Sequence, residues 1–119
     1  MSLAALITDL YERGLDKDVL VVAWGEFGRT PIVNDKGGRD HWPQCGFSLL
    51  FGGGVKQGYV HGTTDKIGAW PTSYPVSPAD FVATVYSLLG IDPRMTVNDR
   101  SGRPISIAHG GEPVADVIA

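Results

Sequence analysis

Apolar residues at helical spacing open the chain, and a strand-like run follows them. The first pattern places five apolar residues on one helical face: Leu3, Leu6, Ile7, Leu10 and Tyr11. Gly14 then stands where glycine commonly ends a helix, so a helix is predicted over residues 3–13. Residues 19–24 are continuously apolar and rich in β-branched side chains, without alternation. Such a run is typical of a strand buried on both faces in the middle of a parallel sheet.

Further strands are expected after a long loop. Gly25 begins a loop of about twenty residues, and residues 47–51 form a second apolar run. Residues 55–60 are candidates for an edge strand, and residues 105–107 for a last short strand.

The clearest local signal belongs to a second helix. Ser77 suits the N-cap position, Pro78 the first helical position and Asp80 the third, which resembles a capping box. Five apolar residues then share one stripe: Phe81, Val82, Val85, Leu88 and Leu89. Gly90 ends the pattern, so a helix is predicted over residues 78–89.

Helices and strands in this order predict an α/β fold with flanking helices and long loops. A central strand at residues 19–24 needs helices on both faces of its sheet, and only two helices are predicted. The other helices and strands would come either from a further part of the polypeptide, outside residues 1–119, or from another subunit of an oligomer. The first alternative is favoured. Residues 1–119 are thus expected to be a single domain and the C-terminal segment of a larger protein. An exposed sheet edge or apolar face is expected to be covered by another copy, as a homo-oligomer.

Composition removes several classes of function. The ten Lys and Arg residues are scattered and the net charge is -3, which disfavours nucleic-acid binding. Cys45 is the single cysteine, so the chain has no internal disulfide and no cysteine-based zinc motif. The longest apolar run, residues 19–24, is too short to span a membrane. No signal segment is recognisable in the sequence. The sequence therefore does not determine the cellular compartment, and export of the longer protein is one alternative.

Candidate chemistry gathers in the loop after the first predicted strand. Glu26 follows the carboxyl end of that strand, where ligands bind in open α/β sheets. The same loop contains Arg29, Arg39, Asp40 and His41. Carboxylate and imidazole are ligands of zinc or manganese, and an arginine beside them suits a phosphate or sulfate group.

Several of the candidate residues also have a purely structural interpretation. Arg39 and Asp40 also suit a surface ion pair, with His41 packed against Trp42. Trp70, among prolines, predicts a loop over the sheet edge, with contact to substrate as the alternative.

Several motifs in fixed order resemble the DUF1501 family of uncharacterised bacterial proteins. They cover the chain from about residue 3 to its end: Trp24-Gly25-Glu26-Phe27-Gly28-Arg29-Thr30-Pro31, Gly38-Arg39-Asp40-His41-Trp42-Pro43, Gly52-Gly53-Gly54, Gly62 with Thr64-Asp65, Pro75-Val76-Ser77-Pro78-Ala79-Asp80, Leu88-Leu89-Gly90-Ile91-Asp92 and Gly102-Arg103-Pro104. Proteins of this family are usually several times longer, so the resemblance implies a C-terminal segment.

The family is grouped with the alkaline phosphatase/sulfatase superfamily, which implies part of an alkaline-phosphatase-like sheet. By position, Glu26 resembles the acidic metal ligand at a strand end in that superfamily, and His41 resembles its later histidine ligand. The implied cofactor is a divalent metal, zinc or manganese, in the longer protein, with none tightly bound by this chain alone. Arg29 or Arg39 would bind the anionic group of an ester substrate. Asp40 would orient His41 from outside the ligand set.

The implied function is the C-terminal part of a metal-dependent phosphate or sulfate ester hydrolase, inactive on its own. No catalytic residue is assigned, because the superfamily's nucleophile lies in an N-terminal half. Phe27 stands where the superfamily often has histidine. That departure favours the alternative, a non-catalytic binding or scaffold protein that keeps the fold without metals.

Overall fold

A computed structural model describes residues 2–119. These residues form two compact units. Unit 1 contains the chain up to residue 20 together with residues 51–59 and 76–119, and unit 2 contains residues 21–50 and 60–75. That the whole belongs to the C-terminal segment of a larger protein stays a prediction. In the described part of the chain, neither helix has the length and apolar character that crossing a bilayer requires.

Unit 1 begins with the predicted helix. Helix α1 covers Leu3–Glu12 and buries Leu10. Arg13 is its C-cap, and Gly14 follows with a φ of 69°, in the left-handed region that commonly ends a helix. The helix is confirmed, with its last helical residue one position earlier than predicted.

Helix α2 covers Pro78–Leu88, as its capping signal predicts. The Ser77 hydroxyl accepts a hydrogen bond from the Asp80 backbone N–H, and the Asp80 carboxylate accepts one from the Ser77 backbone N–H. Both halves of the capping box are therefore present. The inner face of the helix buries Ala83 and Thr84.

The end of unit 1 contains a hairpin and a short 3-10 helix. Strands β7 (Thr96–Asn98) and β8 (Pro104–Ser106) pair antiparallel, and the 3-10 helix covers Ala115–Val117. β8 lies one residue before the predicted strand, and β7 was not predicted. The predicted edge strand at residues 55–60 is wrong, since Val55 makes only an isolated bridge to Ile118.

Unit 2 consists of short paired strands. β1 (Val21–Trp24) pairs with β4 (Ser48–Phe51), whose last residue lies at the unit boundary. Two antiparallel pairs follow: β2 (Gly28–Arg29) with β3 (His41–Trp42), and β5 (Thr63–Thr64) with β6 (Pro71–Ser73). The predicted loop after Gly25 thus contains a strand pair of its own.

The prediction of a central strand at residues 19–24 is wrong. Within the described residues β1 has one partner strand, β4, and starts at Val21. Its side chains alternate, so that Val22 and Trp24 are 38% and 61% exposed while their neighbours are half-buried. Among the described residues, alternate side chains of the apolar run are therefore exposed, and the run is not buried on both faces. Whether another copy covers these side chains stays a prediction.

The fold class is α/β only in its coarse sense. Helices are mixed with four two-stranded sheets among the described residues. The predicted alkaline-phosphatase-like sheet is not confirmed, since each sheet formed by residues 2–119 has two strands.

Candidate functional site

The candidate residues lie on the β2–β3 hairpin of unit 2. Arg29 is paired with His41 across the two strands, and Gly28 with Trp42. The Thr30 backbone N–H extends the ladder with a hydrogen bond of 2.9 Å to the Asp40 carbonyl oxygen. A side chain on Gly28 would collide with the Cys45 carbonyl, so the glycine permits close approach of the returning chain. The backbone thereby brings Arg29 and His41 to adjacent positions, although they are far apart in sequence.

Both arginines predicted to bind substrate also hold the hairpin together. Arg29 donates from Nη1 to the Arg39 carbonyl oxygen at 3.2 Å, and Arg39 donates from Nη2 to the Arg29 carbonyl oxygen at 3.2 Å. The Arg39 Nε also donates to the Thr30 carbonyl oxygen. A guanidinium has five N–H donors, and these contacts use one of them in Arg29 and two in Arg39. Both side chains are exposed. Because Arg29 uses fewer of its donors in the hairpin, it is better placed than Arg39 to bind an added anion.

Asn34 organises the turn between the two strands. Its side-chain oxygen accepts from the backbone N–H groups of Lys36 and Gly38, at 3.1 and 3.0 Å. Its amide nitrogen donates to Asp40 Oδ1 at 3.0 Å. The Asp40 carboxylate is thus engaged by Asn34, and its predicted role in orienting His41 stays a prediction.

An aromatic stack joins the two sides of the hairpin. The Phe27 and His41 rings are stacked, with centroids 3.8 Å apart and planes 24° apart. The Arg29 Cζ lies 5.7 Å from the centre of the Phe27 ring. Phe27 therefore lies beside both Arg29 and His41, whose side chains are exposed. The three side chains of Phe27, Arg29 and His41 are called the stacked cluster below.

The stacked cluster contains N–H donors of the kinds that bind anions in proteins. A guanidinium binds phosphate or sulfate through paired N–H donors, and an imidazole N–H adds another. The Phe27 ring restricts the orientation of both, which lowers the entropy lost on binding. The sequence analysis did not predict that Phe27 would pack beside Arg29 and His41. The position of Phe27 between Glu26 and Arg29 was the signal that could have suggested it.

The candidate metal ligands of residues 2–119 do not make up a complete metal site. Glu26 is exposed and directly precedes Phe27, whose ring contacts His41. Among residues 2–119 there is no group of three or more His, Cys, Asp and Glu side chains arranged to hold a metal ion. Glu26 and His41 supply at most two ligands, which do not fit a complete zinc or manganese site. Their pairing on one ion stays a prediction.

Comparison with known protein families tests the resemblance carried by the motifs. The profile of the family described as "Protein of unknown function (DUF1501)" matches residues 1–118. The chain belongs to the DUF1501 family. No curated protein and no solved structure was found to match it. In this DUF1501 chain, the motif at residues 24–31 contains two members of the stacked cluster, and the motif at residues 38–43 contains the third.

Proposed function

We propose that this DUF1501 chain forms the anion-binding edge of a phosphate or sulfate ester hydrolase. The observation that carries the proposal is the stacked cluster, in which Arg29 and His41 are cross-strand neighbours beside the same Phe27 ring. Cross-strand pairs share one face of a strand pair, so both side chains approach a ligand from the same side. A doubly charged oxyanion matches this arrangement better than a neutral ligand.

The proposed hydrolase belongs to the alkaline phosphatase/sulfatase class. In it, Glu26 and His41 contribute to a zinc or manganese site whose other ligands lie outside residues 2–119. The metal would supply Lewis-acid activation of the ester. Residues of this chain bind and orient the anionic group: Arg29 through its guanidinium, and Arg39 mainly by fixing the backbone of the hairpin.

A second function is favoured by one contact. Phe27 occupies the position after Glu26, and its ring packs on the His41 imidazole instead of leaving it open to a metal. That packing suits a binding protein that holds an anionic group without hydrolysing it. Both proposals share the anion site and differ in turnover.

Titration with inorganic sulfate and inorganic phosphate tests the anion site. The NMR chemical shifts of the backbone amides of Arg29, Thr30 and His41 are expected to change as anion is added and to reach a plateau. Arg29→Ala is expected to weaken binding about tenfold, because it removes the paired donor. Arg100→Ala, which removes an exposed arginine from unit 1, is the matched control and should leave the titration unchanged. Equal loss in both variants would reduce the effect to net charge and contradict the proposal.

Turnover separates the two functions. The full-length protein would be assayed with p-nitrophenyl phosphate and p-nitrophenyl sulfate, and its bound zinc and manganese counted. Hydrolysis that is lost in Glu26→Gln and His41→Asn supports the hydrolase. Anion binding with neither turnover nor bound metal supports the non-catalytic alternative.

A further inference from the structure

A tryptophan in unit 2 is exposed but held in place. Trp70 is 53% exposed. Its ring meets the Trp42 ring edge-on, with centroids 5.8 Å apart and planes 77° apart. The Trp42 indole N–H donates to the Ala69 carbonyl oxygen at 2.7 Å, and Ala69 is only 5% exposed. The residue before Trp70 is therefore buried and anchored, so the Trp70 ring is presented to solvent from a fixed base.

The turn that ends at Trp70 is ordered before any ligand arrives. Asp65 Oδ1 accepts from the backbone N–H groups of Ile67 and Ala69, at 3.2 and 2.8 Å. The Asp65 backbone N–H donates to the Trp70 carbonyl oxygen at 3.0 Å and closes the turn. A surface that needs little ordering on binding loses less entropy there.

Hydroxyl groups accompany the aromatic ring on the same hairpin. The Thr63 hydroxyl lies 3.0 Å from the Thr72 hydroxyl and 2.7 Å from the Ser73 hydroxyl. Thr63 and Thr72 are exposed, and each hydroxyl can both donate and accept. The Thr72 hydroxyl also lies 3.3 Å from the Thr63 carbonyl oxygen, to which it can donate. Residues 63–73 thus combine the Trp70 ring with hydroxyl groups that can exchange hydrogen bonds with the hydroxyls of another molecule.

The charge of this hairpin selects among ligands. Residues 63–73 contain one acidic and one basic side chain, Asp65 and Lys66, and are neutral overall. A nucleic-acid strand stacked on Trp70 would need several basic side chains for its phosphates, and residues 63–73 supply only Lys66, which Asp65 balances. An uncharged ligand with an apolar face and many hydroxyls fits both the ring and the threonines.

We propose that Trp70, Thr63 and Thr72, called the Trp70 face below, bind the pyranose rings of a carbohydrate chain. The axial C–H groups of one sugar stack on the exposed indole, and its hydroxyls exchange hydrogen bonds with Thr63 and Thr72. This inference does not rest on the proposed ester hydrolase. His41 and Trp42 are successive residues of β3 and point to opposite faces of it, so the stacked cluster and the Trp70 face are separate surfaces of unit 2.

Fluorescence and calorimetric titration of the chain with cellohexaose and, separately, with maltohexaose tests the inference. Saturable binding to at least one of them is expected, with a dissociation constant on the order of 1 mM or below. Trp70→Ala is expected to weaken that binding about tenfold, and Trp70→Phe, which keeps a stacking ring, by about threefold at most. Thr72→Val should weaken it less than Trp70→Ala.

Trp24→Ala is the matched control, because Trp24 is a similarly exposed tryptophan of the same unit. It should leave the titration unchanged. Circular dichroism and the sulfate titration, repeated on Trp70→Ala, distinguish loss of a sugar contact from loss of the fold. Absence of saturable binding to both sugars would overturn the inference, as would equal losses in Trp70→Ala and Trp24→Ala.

Discussion

Helix α2 with its C-terminal partner segment and the β2–β3 hairpin use polar side chains in contrasting ways. In the helix, Asp80 and Thr84 accept hydrogen bonds from the backbone N–H groups of Glu112 and Val114, at 2.9 Å each. These partners lie 32 and 30 positions away in sequence, and Thr84 is 1% exposed. In the hairpin, Arg39 bonds carbonyl oxygens only nine and ten positions away and remains exposed.

The contrast separates stabilising from binding chemistry. Thr84 both donates to the Asp80 carbonyl oxygen at 2.7 Å and accepts from Val114, so its hydroxyl is engaged inside the protein. Arg29 and His41, by contrast, have exposed side chains. Buried polar groups are costly to leave unpaired, whereas exposed ones exchange water for a ligand at little cost. Substitutions should therefore affect stability in the first region and binding in the second.

The largest loss of stability is expected from Gly111→Ala. A Cβ at Gly111 would overlap the backbone of Ala79 and approach the Asp80 nitrogen, where the chain crosses the first turn of α2. Relief of that overlap requires a backbone shift, and we expect unfolding to become easier by about 3 kcal/mol, the upper end of overpacking effects. Urea denaturation measures the change. Gly25→Ala is the control, because its Cβ would meet only the Phe27 carbonyl oxygen at 3.7 Å. Equal stability of the two variants would contradict the close approach.

Thr84→Val is expected to destabilise by about 2 kcal/mol, since it leaves the part-buried Val114 N–H without its acceptor. Thr84→Ser keeps the hydroxyl and should lose less than half as much. Urea denaturation of both variants distinguishes the hydrogen bond from packing of the methyl group. A larger loss in the serine variant would assign the contribution to packing instead.

Ser77→Ala should cost about 1 kcal/mol, the usual effect of removing an N-cap. The pKa of Asp80 lies below its ordinary value of 3.8, mainly because the Ser77 hydroxyl donates to it, with backbone N–H groups of Glu112 and Ser77 adding to the effect. A carboxyl group with a depressed pKa stabilises the fold above its unfolded-state pKa and loses that contribution as the pH falls through the folded-state value. The difference between wild type and Ser77→Ala should therefore be constant near neutral pH and shrink in acid below that ordinary value. A difference that grows in acid would contradict this linkage.

Local signals explain which parts were predictable. The α2 boundaries follow from Ser77, Pro78 and Asp80, because a capping box and an N1 proline act within one helical turn. Strands of two residues, such as β2 and β3, are too short to show alternation, so the hairpin was predicted as loop. The contacts of Asp80 with Glu112 and of Trp42 with Ala69 depend on distant parts of the chain, which no local pattern specifies.

The candidate site was predictable in its residues and less so in their arrangement. The sequence placed Arg29, Arg39 and His41 in one loop, and the structure puts Arg29 opposite His41. The predicted central strand was wrong because a continuous apolar run does not reveal whether a second layer covers it; here Trp24 is exposed. The predicted metal-ligand pair, Glu26 and His41, stays a prediction for the metal-content measurement.

Arg39→Ala should give the smallest stability change and sharpen the comparison most. It removes donors to the carbonyl oxygens of Arg29 and Thr30, but water can replace them because the side chain is exposed. We therefore expect a loss of about 0.5 kcal/mol in urea denaturation, at the low end for a hydrogen bond. In the sulfate titration, Arg39→Ala should weaken binding less than Arg29→Ala, because the Arg39 guanidinium bonds the hairpin backbone at two of its nitrogens while Arg29 does so at one. Amide hydrogen exchange at Thr30 and Asp40 should nevertheless speed up, because Arg39 holds the backbone of the hairpin on which Arg29 stands. A sulfate affinity that falls more in Arg39→Ala than in Arg29→Ala, with hydrogen exchange unchanged, would reverse the two roles.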